Sequence, residues 1–271
     1  MTSQTGPAAA EGAPQFEVIP LPGIVDQVAQ MLQAGSRVTV TASPAQGLDA
    51  TLEAACALAR CGFTAIPHLA ARMLHDGGEV GEHLARLTEA GIAEVFVIAG
   101  DAPHPAGSLH GALDLLEVLA EASPGLVLGA GTHPEGHPFV DEAESLRLLR
   151  EKARYVSYLV TQMCFEAEPL LTWRERLHVA GIGLPLRPGL AAGVGTARLL
   201  SIGPRIGVGR SLRMLSAEGS GVRRLLAPGR WDPAPLLEEL RVGTRTTPGP
   251  ALLGPHLYTF NDLRAARDAL R

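Results

Sequence analysis

The chain is poor in aromatic residues, in charge and in cysteine. Phe, Tyr and Trp make up 4 % of its 271 residues, so the core has to be aliphatic. Charged residues amount to 19 %, with 28 acidic against 23 basic side chains and a net charge of −5. Such a balance offers no basic surface to nucleic acid or to an anionic membrane. Only three cysteines are present, Cys56, Cys61 and Cys164, an odd number without metal-ligand spacing. Cys56 and Cys61, five apart in an apolar helical stretch, read as reduced thiols, which fits a cytoplasmic protein. No apolar run approaches the roughly 20 residues that cross a bilayer. Residues 1–14 are rich in Ala, Gly, Pro and Ser and lack the basic-then-apolar order of a signal peptide. They are expected to form a disordered tail ahead of one domain, residues 15–271.

A glycine-rich phosphate loop is missing too. The first apolar run, Gln15–Ile19, is followed by Pro20-Leu21-Pro22, and no GxGxxG stands where a strand would turn into a helix. Gly203-Pro-Arg-Ile-Gly-Val-Gly209 has neither that pattern nor a P-loop lysine, and reads as a turn into a helix. An open doubly wound sheet is therefore disfavoured.

The periodicity that is present alternates between strand and helix. Strands are predicted at 15–19, 37–41, 63–66, 95–98, 126–130, 158–161, within 181–186 and at 256–260. Helical spacing is predicted after each of them, over 24–32, 48–61, 80–90, 109–122, 142–154, 169–180 and 262–270, with short helices such as 210–215 and 233–242 before the last strand. Eight strands, each followed by a helix, is the count of a (β/α)8 TIM barrel, an α/β fold that commonly takes about 250 residues as a single domain.

In such a barrel the residues just beyond the strands share one face, where ligands bind. Here they are Glu17, Thr41, His68, Asp101, the trio His133, Glu135 and His137, then Gln162 and Tyr258. Acids, imidazoles, an amide and a phenol together suit a polar, multi-ring ligand. Each also has a plainer reading. Asp101, after Gly100, could cap a turn; Glu17 could be a lumen charge paired with Arg37; His68 could be a satisfied turn residue; Gln162 could bond a loop backbone. A metal site from His68, Asp101, His133 and His137 ranks lower, because Pro134 and Pro138 keep the two histidines off a helix.

Read in order, these segments resemble the methylenetetrahydrofolate reductases. The resemblance rests on Phe16-Glu-Val-Ile-Pro-Leu-Pro22, Val38-Thr-Val-Thr41, Pro67-His-Leu69, Ile98-Ala-Gly-Asp-Ala-Pro103, His133-Pro-Glu-Gly-His-Pro138, Thr161-Gln162 with Phe165-Glu166, and His256-Leu-Tyr-Thr-Phe-Asn261. It implies an enzyme of one-carbon metabolism and methionine biosynthesis. Such an enzyme passes a hydride from NAD(P)H through FAD to 5,10-methylenetetrahydrofolate, giving 5-methyltetrahydrofolate. It further implies that Glu17 is the general acid and that Asp101 stabilises a cationic folate. Gln162, Phe165 and Tyr258 fall on the folate side; Thr41, His68, Gly100, Asp101, His133, Glu135, His137 and Lys152 fall on the flavin side. No metal is implied, and a homo-oligomer is left open.

Two positions depart from the family pattern: Ala99 stands where the family has a phosphate-binding Arg, and His133 where it has Tyr. Losing that Arg removes a charge-assisted contact worth about 1.5–3 kcal/mol. Flavin would then be bound through another guanidinium such as Arg72, or not at all, and a folate- or flavin-binding barrel without reductase activity is the alternative. Asp101, at the end of a buried strand with no cation following it, is expected to carry a desolvation cost that a cationic folate offsets.

Overall fold

The computed structural model describes residues 12–137, 140–192 and 231–270. Eight parallel strands close into a barrel, each hydrogen-bonded to its sequence neighbours, with β8 returning to β1. They are β1 Gln15–Val18, β2 Arg37–Val40, β3 Thr64–Ala70, β4 Glu94–Ile98, β5 Val127–Thr132, β6 Tyr158–Cys164, β7 Leu186–Ala191 and β8 His256–Tyr258. Around them lie α1 Ile24–Met31, α2 Gly47–Arg60, α3 Gly77–Glu89, α4 Ala112–Ala122, α5 Glu142–Lys152, α6 Ala167–Val179, α7 Ala234–Gly243 and α8 Leu263–Asp268. The fold is a (β/α)8 barrel. The expected tail falls largely outside the described residues, as do the expected helix 210–215 and the 203–209 turn. No helix among the described residues is long and apolar enough to cross a membrane.

Alternation along each strand separates two cores. Outward residues such as Phe16, Val18, Val38, Val40, Val95 and Val97 pack on the helices in one aliphatic cluster. Inward residues Ile66, Phe96, Tyr158 and Val160 form a small second cluster in the lumen. Tyr158 crosses that lumen beside Gly129, where a Cβ would stand 2.4 Å from the Tyr158 ring. Helix starts are carried by side-chain caps: Asp76 accepts from Gly78 and Glu79 amides, Asp141 from Glu144, and Asp262 from Ala265.

Several strands differ from the sequence-based expectation, and β6 runs on past Thr161 to Cys164. β3 does not stop before Pro67 but runs on to Ala70. A proline in a parallel strand costs one ladder donor, and here the buried neighbours override its effect as a breaker. β7 is not found within 181–186 but at Leu186–Ala191, across Arg187-Pro188-Gly189, which as a sequence reads as a turn. β8 ends at Tyr258, because Phe260 and Asn261 take φ of 49° and 60°.

Candidate active site

Period-2 alternation on β1 and β8 puts Glu17 and His256 on the lumen side at neighbouring positions. The Glu17 carboxylate lies 3.1 Å from His256 Nε2 and 3.8 Å from His68 Nε2. All three are withdrawn from water, with side-chain exposures of 16 % for Glu17, 7 % for His68 and 1 % for His256. Burial pulls the His68 pKa down to about 4 against the opposing field of Glu17, so its ring is neutral at pH 7. His68 also leans on Phe96, with ring centroids 4.8 Å apart. The plain pairing of Glu17 with Arg37 is not what forms. Arg37 instead binds Glu94 at 2.5 Å.

The segment after β8 locks this group in place. Thr259 Oγ1 donates to the Glu17 carbonyl at 2.5 Å, and Asn261 brackets Ile19 by accepting from its N–H and donating to its carbonyl. Asn is among the few residues that tolerate the left-handed backbone needed there. Tyr258 stacks edge-on against His256 at 4.7 Å and donates to the Thr161 carbonyl at 3.1 Å. His256 and Asn261 were not singled out from the sequence. The available signal for His256 was its position two residues before Tyr258, on the same strand face.

β6 is irregular between Val160 and Met163, where its register on β7 shifts. Such irregularities re-aim side chains beside binding sites. Gln162 sits in this irregular stretch, half-buried, and its amide bonds no described residue. Thr161 Oγ1 accepts from the Gly189 N–H at 2.8 Å. A Cβ at Gly189 would meet the Thr161 carbonyl at 2.2 Å and the Tyr258 ring at 2.9 Å, so only glycine lets these strands and Tyr258 converge. Phe165 is buried, edge-on to Trp231 at 5.2 Å, and forms wall rather than surface.

The remaining positions lie further out. Thr41 follows β2, its N–H bonded to the Val18 carbonyl and its own carbonyl accepting from Thr51. Gly100 and Asp101 follow β4, with Gly100 at φ 88°. Asp101 is exposed and makes no ion pair with a described residue, which overturns its expected desolvation cost: water already solvates it. Beyond β5, the rings of His133 and His137 meet edge-on at 4.6 Å. Burial, then His137 and Lys152, lowers the His133 pKa to about 4; burial and Lys152 lower that of His137. Burial and Glu166 raise Glu135, although much of its surface meets solvent, and burial lowers Lys152, the only lysine in the chain. Among the described residues no set of three or more His, Cys, Asp or Glu side chains is placed to hold a metal ion. The structure thus gathers Glu17, His68, His256 and Tyr258 into one group and His133, His137 and Lys152 into a second, with Asp101 on a separate loop.

The family model of methylenetetrahydrofolate reductase matches residues 17–199, the stretch that runs from Glu17 through the first seven strands. The chain belongs to the methylenetetrahydrofolate reductase family. It is 23 % identical over 155 residues to methylenetetrahydrofolate reductase 2 of Saccharomyces cerevisiae, covering 53 % of this chain and 25 % of the yeast protein. It is 27 % identical over 116 residues to methylenetetrahydrofolate reductase 1 of Schizosaccharomyces pombe, covering 40 % of this chain and 19 % of that protein. Those matches therefore span a quarter or less of the curated relatives. In three dimensions the fold is similar to a protein from Clostridium thermocellum, described as binding two copies of 5-methyl-5,6,7,8-tetrahydrofolic acid. That similarity has a TM-score of 0.62 at 13 % identity, over 95 % of this chain and 94 % of the other.

Family membership raises the question of FAD, and its diphosphate decides the fit. A diphosphate needs unengaged cations or amide donors. Position 99 is Ala. Arg72 is spent on its own loop: Nε donates to the Ala102 carbonyl at 2.8 Å, Nη2 to Pro103 at 2.9 Å and Nη1 to His110 at 3.3 Å. Arg147 is paired with Glu144 and Glu151, and Arg150 Nε donates to the Ala180 carbonyl. Lys152 is left, and its burial disfavours the charged form. Among the described residues, the loops after β3 to β5 offer the flavin diphosphate no unengaged guanidinium.

Proposed function

We propose that the mouth of this barrel binds a reduced folate and converts 5,10-methylenetetrahydrofolate to 5-methyltetrahydrofolate, using NAD(P)H as the hydride source. The observation that carries this reading is the Glu17 carboxyl, held in the lumen 3.1 Å from His256 within a chain of this family. In its acid form Glu17 donates a proton to N10 of the folate as the N10–methylene bond breaks. The methylene carbon is left as an iminium on N5. A hydride then adds to that carbon, and the nicotinamide leaves oxidised. His256 is placed to return a proton to Glu17. Asp101, exposed beyond β4, faces the cationic iminium as a stabilising charge. The unbonded Gln162 amide offers a donor and an acceptor to the pterin, beside a wall formed by Phe165 and Tyr258. His68 and His133, both neutral at pH 7, suit a planar ring better than an anion. By this reading the protein works in the cytoplasm and feeds methyl groups towards methionine.

A second reading is a folate-binding barrel without turnover. It is favoured by Ala99, by the sequestered Arg72 and by the description of the Clostridium thermocellum protein as a methyltetrahydrofolate binder. One experiment separates the two. The protein and Glu17→Gln are incubated with 5,10-methylenetetrahydrofolate and NADH or NADPH, with and without FAD, and folate binding is measured in parallel. Reduction of the folate by the wild type alone, with binding retained in Glu17→Gln, is the expected result. Tight binding without reduction in any arm selects the second reading.

A further inference from the structure

The opposite end of the lumen carries charge that the folate reading does not use. Gln15 on β1, Arg37 on β2, Glu94 on β4, Tyr158 on β6 and Arg187 on β7 all point inward at the N-terminal ends of their strands. All are buried: Gln15 and Arg187 at 0 % exposure, Tyr158 at 3 %, Arg37 at 8 % and Glu94 at 9 %. Among the described residues two guanidiniums face one carboxylate here, an excess of one positive charge.

Its hydrogen bonds are also incomplete on the donor side. Arg37 Nη2 binds Glu94, and Arg187 Nη1 donates to the Ala13 carbonyl at 3.0 Å and the Gly254 carbonyl at 2.9 Å. Arg187 Nε, Arg187 Nη2, Arg37 Nε and Gln15 Nε2 are buried without a partner, against the Gln15 carbonyl oxygen as one unpaired acceptor, while the Tyr158 hydroxyl lies against the Glu94 carboxylate. The Arg187 guanidinium lies 5.8 Å from the Tyr158 ring centre, which keeps these groups in one place. Ala13 and Gly254 close the floor beneath them: a Cβ on Gly254 would stand 2.3 Å from the Ala13 carbonyl.

We propose that this floor is a binding site for one small monovalent anion, of the chloride class, held between the Arg37 and Arg187 side chains. An anion accepts from several converging donors and cancels the excess charge. A water molecule does neither fully, since it brings two donors of its own into a layer with one spare acceptor. Burial, then the field of Arg37, lowers the Arg187 pKa, a mark of positive charge held under strain. A bound anion would relieve it.

A ligand that binds only the folded chain raises its melting temperature in a saturable way. The test replaces gluconate by chloride at constant ionic strength, from about 1 mM to about 300 mM, in the wild type and in Arg187→Met. A saturable rise of about 5 °C in the wild type, absent from the variant, is expected. Equal responses in both proteins, or none in the wild type, overturn the proposal. Should Arg187→Met fail to fold, wild-type crystals grown in bromide decide: an anomalous peak within hydrogen-bond reach of Arg37 Nε and Arg187 Nη2 supports the site. Ordered water there without anomalous signal refutes it.

Discussion

His68 ties the chemistry of the site to stability. Its pKa falls from 6.5 to about 4 on folding, chiefly through burial, so below pH 6.5 the unfolded chain binds a proton that the folded chain refuses. Stability is therefore fully present above pH 6.5 and is lost as pH falls towards 4, by up to about 3 kcal/mol for a shift of this size. His133 adds a loss of the same sign. In urea titrations across that range, His68→Gln should show a distinctly shallower loss than the wild type; parallel curves would mean His68 is not the group that titrates. Asp101 behaves differently because it is exposed. Asp101→Asn should change stability by no more than about 0.5 kcal/mol. It should slow folate reduction by up to roughly 5-fold, the scale of one solvent-screened charge worth about 1 kcal/mol or less. A large drop in melting temperature would make it a loop-holding residue instead. These residues were legible to different degrees. Glu17 stood out as an acid on an apolar strand ahead of a proline turn. His256 and Asn261 did not, because their importance comes from strand pairing 239 and 242 residues away in sequence.

Among the elements, β6 and β7 shape the mouth. Gly189 allows Thr161, Tyr258 and the β6 irregularity to meet, and its Cβ space is filled by backbone, which cannot swing aside. Gly189→Ala should cost roughly 3 kcal/mol or more. It should also disturb folate binding, since Gln162 rides on the same stretch. An alanine variant with wild-type stability by chemical denaturation would show that β7 is positioned by something else. Local sequence places β7 too early, within 181–186, because Arg187-Pro188-Gly189 has the composition of a turn. Local propensity carried no sign that Arg187 would be drawn inward and bonded to Ala13 and Gly254. β3 was read too short for a related reason: Pro67 is a local breaker, while the continuation through His68 is imposed by pairing with Phe96 on β4. The helices were easier. Their apolar spacing is a local feature, and α2, α3, α5 and α6 fall within a few residues of where the spacing puts them.

On the scale of the whole molecule, a closed barrel separates a neutral, histidine-lined mouth from a floor with excess positive charge, with a thin apolar cluster between them. The mouth suits an uncharged ring system, and the described loops after β3 to β5 offer no unengaged guanidinium to the flavin diphosphate. The purified protein is accordingly expected to lack the visible absorbance of bound flavin. A stoichiometric yellow cofactor would show that a phosphate site exists outside the loops after β3 to β5. The central claim, reduction of a folate at the Glu17 centre, is tested most directly by following the hydride. The protein is mixed with 5,10-methylenetetrahydrofolate and NADH or NADPH carrying deuterium on the transferable C4 position, with and without FAD, and the folate product is weighed by mass spectrometry. The account predicts 5-methyltetrahydrofolate in the wild type, with one deuterium in its methyl group whenever the hydride passes without exchange, and none from Glu17→Gln. Folate recovered unreduced from every mixture, or equal product from Glu17→Gln, would contradict it.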